Sequence, residues 1–191
     1  MMNTNSKRLY FLAVIPPEPV QSEIMDKKKI ASKLFNSSHS LNSPAHITLI
    51  PPFYASHSEI KKFSNALKEF ISSYNPIEID LKDFNKFGNR VIFVDLLPNE
   101  ELNAFQKDLF RLFKKHFPKY KKDNRFHPHI TVAFKDLHEE VFQKAWEYFN
   151  QLPYKAYFLM NHFYLLKHEN KYWQVVEKYP LTRKIHKILY N

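Results

Sequence analysis

His46-Ile47-Thr48-Leu49 and His129-Ile130-Thr131-Val132 are two copies of one short pattern. Each lies in an apolar, β-branched stretch that reads as a strand. His and Thr two apart then share one sheet face, with the aliphatic residues on the other. Imidazole gives or takes a proton near neutral pH, and a hydroxyl donates to phosphate oxygens. Two of each are what in-line displacement at a phosphodiester requires: a base for the nucleophile, an acid for the leaving oxygen, donors for the phosphate. The chain has ten histidines and four threonines, and two of those threonines follow a histidine by two positions. Composition alone predicts about 0.2 such pairs, so chance does not account for them. Both copies also closely follow a proline, Pro44 and Pro128. A structural role is the default for one strand histidine; two equivalent pairs reverse that reading.

Other residues qualify by type. His127 shares the strand face of His129 and could touch substrate, or simply flank the cleft. With His46 and His129 it could also complete a three-histidine metal site. Tyr10, Phe53 and Tyr54 could stack on a base, although aromatics at strand ends commonly fill cores. Lys119, Lys121, Lys122 and Arg125 precede the second motif, and Lys135 and Arg90 are further cations able to attract phosphate. Solvated loops explain the same lysines. The run Lys27-Lys28-Lys29 reads as an exposed helix face.

Composition narrows the chemistry. A single glycine, Gly88, excludes a P-loop and a dinucleotide fingerprint. With no cysteine there is no thiol nucleophile, cysteine zinc site or disulfide. The formal net charge of +10 suits a polyanion such as RNA, though abundant Lys, Asn, Ile and Phe would also follow from biased composition. No stretch approaches the roughly 20 apolar residues of a membrane helix. Lys7-Arg8 and the apolar run after it resemble a signal-peptide start, but the run is short and Pro16-Pro17 ends it. The expectation is a cytoplasmic monomer with no cofactor or metal.

The elements that must position the motifs follow from periodicity. Strands are expected over 8–15, 45–50 (stopped by Pro51-Pro52), 77–84, 90–96, 126–134, 154–166 and 171–176. Helices are expected over 20–34, 58–74 (capped by Ser58), 98–117 and 139–152. Residues 1–6 read as frayed and 178–191 as a basic tail of uncertain form. The unit motif strand, helix, strand, strand recurs over 45–96 and 126–176. This predicts one α+β domain over 1–191 with two lobes related by a pseudo-twofold axis, His46 facing His129 across a shared cleft.

On these residues the chain resembles the two-histidine phosphoesterase superfamily, in its branch of 2′-5′ RNA ligase and cyclic phosphodiesterase-like proteins. The resemblance also covers the opening strand Arg8-Leu9-Tyr10-Phe11-Leu12-Ala13-Val14, the hairpin Phe87-Gly88-Asn89-Arg90-Val91-Ile92-Phe93, and Phe126-His127-Pro128-His129-Ile130-Thr131-Val132-Ala133. It implies a bilobal α+β fold, an antiparallel sheet with flanking helices in each lobe, and a metal-free cleft between them. His46 and His129 would be the catalytic pair, and Thr48 and Thr131 would hold the phosphate. The implied reaction is hydrolysis of a 2′,3′-cyclic or 2′-5′ linked nucleotide or RNA end, with weak reverse ligation. A non-catalytic RNA-end binder and a His-ligated metal hydrolase are the alternatives. His127-Pro128-His129 is superficially similar to histidine-triad hydrolases, but Thr131 stands at the third His position. Many relatives carry a basic residue soon after each motif; here those places read Ile50-Pro51-Pro52-Phe53 and Phe134-Lys135.

Overall fold

The computed structural model describes residues 6–122 and 125–181. Along them run β1 (Arg8–Val14), α1 (Val20–Phe35), a 3-10 turn (His39–Asn42), β2 (Ile47–Ala55), α2 (His57–Ile71), β3 (Ile77–Phe87), β4 (Val91–Leu96), α3 (Glu100–His116), β5 (His129–Ala133), α4 (Glu139–Asn150), β6 (Lys155–Met160), β7 (His162–Glu169) and β8 (Tyr172–Pro180). Five residues of the expected frayed start and the tail from Thr182 onward lie outside the described residues. Among the described residues no helix is long and apolar enough to cross a membrane.

The strands form one antiparallel sheet in the order β6-β3-β4-β5-β2-β1-β7-β8. It divides into matching halves, β6-β3-β4-β5 and β2-β1-β7-β8, which meet where β2 pairs β5 through Ile47↔Ile130. β6 and β7 are separated only by Asn161, yet they lie first and seventh in the order. One residue spans at most about 3.6 Å, so the sheet must curl until these strands come together.

Core and cleft fall on opposite faces, as strand parity requires. Ile47 and Leu49 of β2, Ile130 and Val132 of β5, Leu12 and Val14 of β1, and Ile92 and Val94 of β4 join one core. Ile24, Phe63, Phe105 and Phe142 bring the four helices to that same core. The covering is reciprocal. α1 packs on β5 and α4 on β3, while α2 packs on β8. α3 reaches β7 through Phe105–Phe163, 5.6 Å between ring centroids, and β2 through Gln106 Nε2 to the Leu49 carbonyl at 2.9 Å.

Several expectations need correction. β2 runs through Pro51-Pro52 to Ala55 instead of stopping there. A bulge interrupts the β1 pairing on either side of Leu12↔Ile50, and β5 pairs β2 only at Ile47, so two missing N–H groups are tolerated. The 154–166 stretch is two strands, because the chain leaves the edge of one half at Asn161 to join the other. The repeating unit therefore differs from the expected one. β1-α1-β2-α2 and β4-α3-β5-α4 are equivalent in the sheet, and the strands after them are exchanged. β3 pairs β4 of the second unit, and β7 pairs β1 of the first. The cap of α2 is Ser56, whose capping box with Glu59 satisfies first-turn N–H groups, and not Ser58.

Candidate active site

The antiparallel register at Ile47↔Ile130 sets His46 beside Thr131 and Thr48 beside His129. The four side chains form a two-by-two block on the face away from the core. Directly opposed Cβ atoms lie ~5 Å apart and diagonal ones ~7 Å, the scale of a phosphate and its two apical oxygens.

Each histidine is oriented the same way. His46 Nδ1 lies 2.8 Å from the Pro44 carbonyl and His129 Nδ1 lies 2.7 Å from the His127 carbonyl. A carbonyl only accepts, so each Nδ1 carries the proton and each Nε2 is left for chemistry. A phenylalanine from the neighbouring strand packs on each ring: Phe11 on His46 at 4.9 Å and Phe93 on His129 at 5.0 Å between centroids. Phe87 adds an edge contact to His129 at 4.9 Å.

The surroundings then diverge. Burial pushes His46 down to about 4, the Lys28 ammonium and His129 push the same way, and the bond to Pro44 opposes them. Burial also lowers His129, but its bond to His127 and the charge of Asp95 oppose the shift. Asp95 pairs directly with His129 across β4 and β5. The corresponding place on β1, one past Val14↔Ile47, is the apolar Ile15.

Lys28 is the unexpected member. It is 1% exposed, not on an open helix face. Its Nζ donates to the carbonyls of Ser40 (3.0 Å), Ser43 (3.1 Å) and Pro44 (3.2 Å). The Pro44 oxygen therefore accepts from both Lys28 and His46. Burial pulls the Lys28 pKa down to about 7.

A cavity of about 730 Å³ opens over this block, lined by His46, Thr48, Thr131, Lys28, Phe11, Trp173, Phe134, Lys135, His39, His168 and Lys171 among others. Trp173 meets Phe11 edge-on at 4.5 Å. Lys135 is held at a φ of 59° and places Nζ 3.0 Å from His39 Nε2. The Asp136 carboxylate joins the walls, accepting from Ser37 Oγ (3.0 Å), Ser38 N (2.8 Å), Ser38 Oγ (3.1 Å) and His39 N (2.8 Å).

Of the residues singled out by type, His46, Thr48, Thr131 and Lys135 line the cavity, and His129 adjoins Thr48. His127 stands at the margin, its Nε2 3.5 Å from Asp95 Oδ1 and its ring 5.1 Å from that of Phe87. Tyr10 and Phe53 are corrected as base-stacking candidates. Both are buried on the core face, where Phe53 packs on Phe63, Phe113 and Phe117. Tyr54 is exposed further along β2, and Arg125 is exposed ahead of β5; neither lines the cavity. Sequence reasoning missed Lys28, Phe11, Trp173, His39, His168 and Asp95. Among the described residues no group of three His, Cys, Asp or Glu side chains is arranged to hold a metal, so His46, His127 and His129 do not converge on one.

Residues 16–171 match the family model described as the 2′-5′ RNA ligase superfamily. A protein of Bacillus pumilus (strain SAFR-032) named "Putative phosphoesterase" is 34% identical over 103 residues, covering 51% of this chain and 58% of its own length. A Geobacillus kaustophilus (strain HTA426) protein of the same description is 27% identical over 173 residues, covering 89% of this chain and 94% of its own. Among solved structures, Escherichia coli LigT complexed with 3′-AMP superposes with a TM-score of 0.69 at 18% identity, covering 93% of this chain and all of LigT. A Thermus thermophilus protein superposes with a TM-score of 0.67 at 19% identity, covering 91% of this chain and 97% of its own.

Proposed function

This chain belongs to the 2′-5′ RNA ligase superfamily, the two-histidine phosphoesterases, and from that premise we propose that it is a metal-independent phosphodiesterase of nucleotide or RNA ends. Its substrates are 2′,3′-cyclic phosphates or 2′-5′ linkages, and it works as a cytoplasmic monomer. The observation that carries the reading is the two-by-two block itself. Both imidazoles are fixed by a backbone carbonyl at Nδ1, which leaves both Nε2 atoms available, and both share one sheet face with two threonine hydroxyls. Absence of cysteine fits a reducing compartment, and the net charge of +10 fits a polyanionic substrate.

In the reaction, one neutral Nε2 takes a proton from water as the water oxygen bonds phosphorus. The bond from phosphorus to one sugar oxygen breaks, and that oxygen takes the Nε2 proton of the other, charged imidazole. A terminal monophosphate remains on the neighbouring sugar oxygen. Thr48 and Thr131 donate to the non-bridging oxygens and hold phosphorus in line as charge builds on them. With a ribose 5′-hydroxyl in place of water the same steps join two ends: its oxygen bonds phosphorus, one sugar oxygen of the cyclic phosphate leaves, and that oxygen takes the other imidazole's proton. Phe11, Trp173 and Phe134 give the cavity an aromatic wall for a base. The LigT complex with 3′-AMP is consistent with a nucleotide in this cavity.

The test is turnover of 2′,3′-cyclic nucleotides, cyclic-phosphate RNA and 2′-5′ dinucleotides, with product regiochemistry read out. His46→Ala and His129→Ala should each lower kcat by about 10²- to 10⁴-fold, the usual weight of a general acid or base. Chelator should leave the rate unchanged. If neither variant altered turnover of any of these substrates, the proposal would be wrong.

A further inference from the structure

We propose that Lys28 is a positioning residue of the active site: its buried ammonium clamps the 40–44 loop by three carbonyls and fixes His46 through the one carbonyl the two side chains share. A neutral amine has two donors and a lone pair, and the lone pair would face a carbonyl oxygen. Three acceptors at 3.0–3.2 Å are the complement of an ammonium with three N–H groups. The charge lies on α1, far from the motif in sequence, yet it sits behind the ring that does chemistry. Polar groups buried this deeply are retained only when fully hydrogen-bonded, and this one is.

Two consequences reach the reaction. The Pro44 carbonyl, held by Lys28 Nζ at 3.2 Å and by His46 Nδ1 at 2.8 Å, locks the Nδ1–H tautomer and the ring plane. An ammonium behind His46 also opposes a second positive charge on that ring. Lys28 from α1 and His129 from β5 are the charged or titratable groups that bear on His46, and both act in this direction. The groups that bear on His129 are His127, preceding it on its own segment, and Asp95 from β4, and the carboxylate favours its charged form. The pseudo-symmetric pair is therefore electrostatically unequal: the Lys28 ammonium disfavours charge on His46, and the Asp95 carboxylate favours it on His129.

The inference rests on the phosphodiesterase reading for its meaning but not for its test. Ring nitrogen and Cε1–H resonances of the wild-type protein, without substrate, report tautomer and charge at each histidine. His46 should keep a neutral Nδ1–H ring from pH 7 down to about pH 5, and His129 should gain its second proton at a higher pH than His46. A His46 that titrates above His129, or an Nε2–H tautomer, overturns the proposal whether or not any substrate is turned over. Lys28→Met removes the ammonium and keeps most of the stem. It should raise the His46 titration by about one pH unit and move the acid limb of kcat/KM with it. It should lower kcat roughly tenfold with KM little changed. A folded Lys28→Met protein with the wild-type limb and the wild-type His46 titration overturns the proposal too. Should that variant fail to melt cooperatively, the wild-type titrations decide alone.

Discussion

Two half-sites built from the same His-x-Thr pattern differ by one charge each: Lys28 behind His46 and Asp95 beside His129. That difference predicts where activity lies on the pH scale. For free enzyme, the two limbs of kcat/KM report the two imidazoles: His46, lowered to about 4, and His129, which burial holds below the usual histidine range. A bell with its maximum on the acidic side of pH 6.5 is expected when kcat/KM is measured with a 2′,3′-cyclic nucleotide. A bound phosphodiester monoanion favours both imidazolium forms, so the kcat limbs should lie at higher pH; a kcat/KM maximum near pH 8 would contradict these shifts. Thr48→Val and Thr131→Val keep shape and lose the donor, and each should lower kcat by about 10²-fold. The motif residues were legible because strand parity alone places His and Thr together. Tyr10 was misread since it shares parity with Leu12 and Val14, whereas Phe11 has the parity of the cleft. Lys28 was misread from its neighbours Lys27 and Lys29. Its own spacing told otherwise: Val20, Ile24, Lys28 and Ala31 form the buried stripe of α1, and a lysine at a core position of such a stripe is a signal.

Elements hold the site through connections that no local pattern encodes. Asp136 follows β5, yet its carboxylate ties down the 37–39 segment that follows α1, so the two loops flanking the cavity move as one. Asp136→Ala should destabilise the protein by about 2 kcal/mol at pH 7, measured by urea unfolding. These bonds hold the carboxyl below its ordinary range against the opposing effect of burial. A depressed carboxyl contributes stability above its unfolded pKa and loses it as pH falls through the folded one, so the gap between wild type and variant should narrow as pH falls below about 4. A constant difference below that pH would show that the charge is not what matters. Strand content was readable from alternation, but strand partnership was not. The 154–166 stretch keeps a strand-like pattern across Asn161, so the crossing from one half-sheet to the other leaves no trace in periodicity. Pro51 and Pro52 read as a stop because an N–H deficit is normally intolerable mid-sheet; the bulge in the β1 pairing and, among the described residues, the lack of a second partner beyond Ile47 make it harmless.

Across the whole molecule, His39, His46, His129 and His162 are all held below the ordinary histidine range, burial being the first cause in each. Between the folded and unfolded pKa values the unfolded chain binds more protons, so stability rises with pH through this window. The protein should be less stable at pH 5 than at pH 7. His46 alone accounts for up to about 2 kcal/mol of that difference. Urea midpoints at the two pH values, for wild type and His46→Asn, test this: the substitution should flatten the dependence. Equal midpoints in wild type would refute it. Exchange of β3 and β7 between the halves means that neither half closes its sheet without the other, so a single cooperative transition is expected in these experiments. The junction of the halves has a mechanical meaning as well. Ile47 and Ile130 make the one rung between them, and the reacting side chains sit on either side of it in sequence. For any rotation of one half against the other about that rung, displacement grows with distance from the axis. The imidazoles and threonines, nearest that rung, are displaced least. Any misfit in how the two halves settle against each other is thus felt least at the imidazoles and threonines.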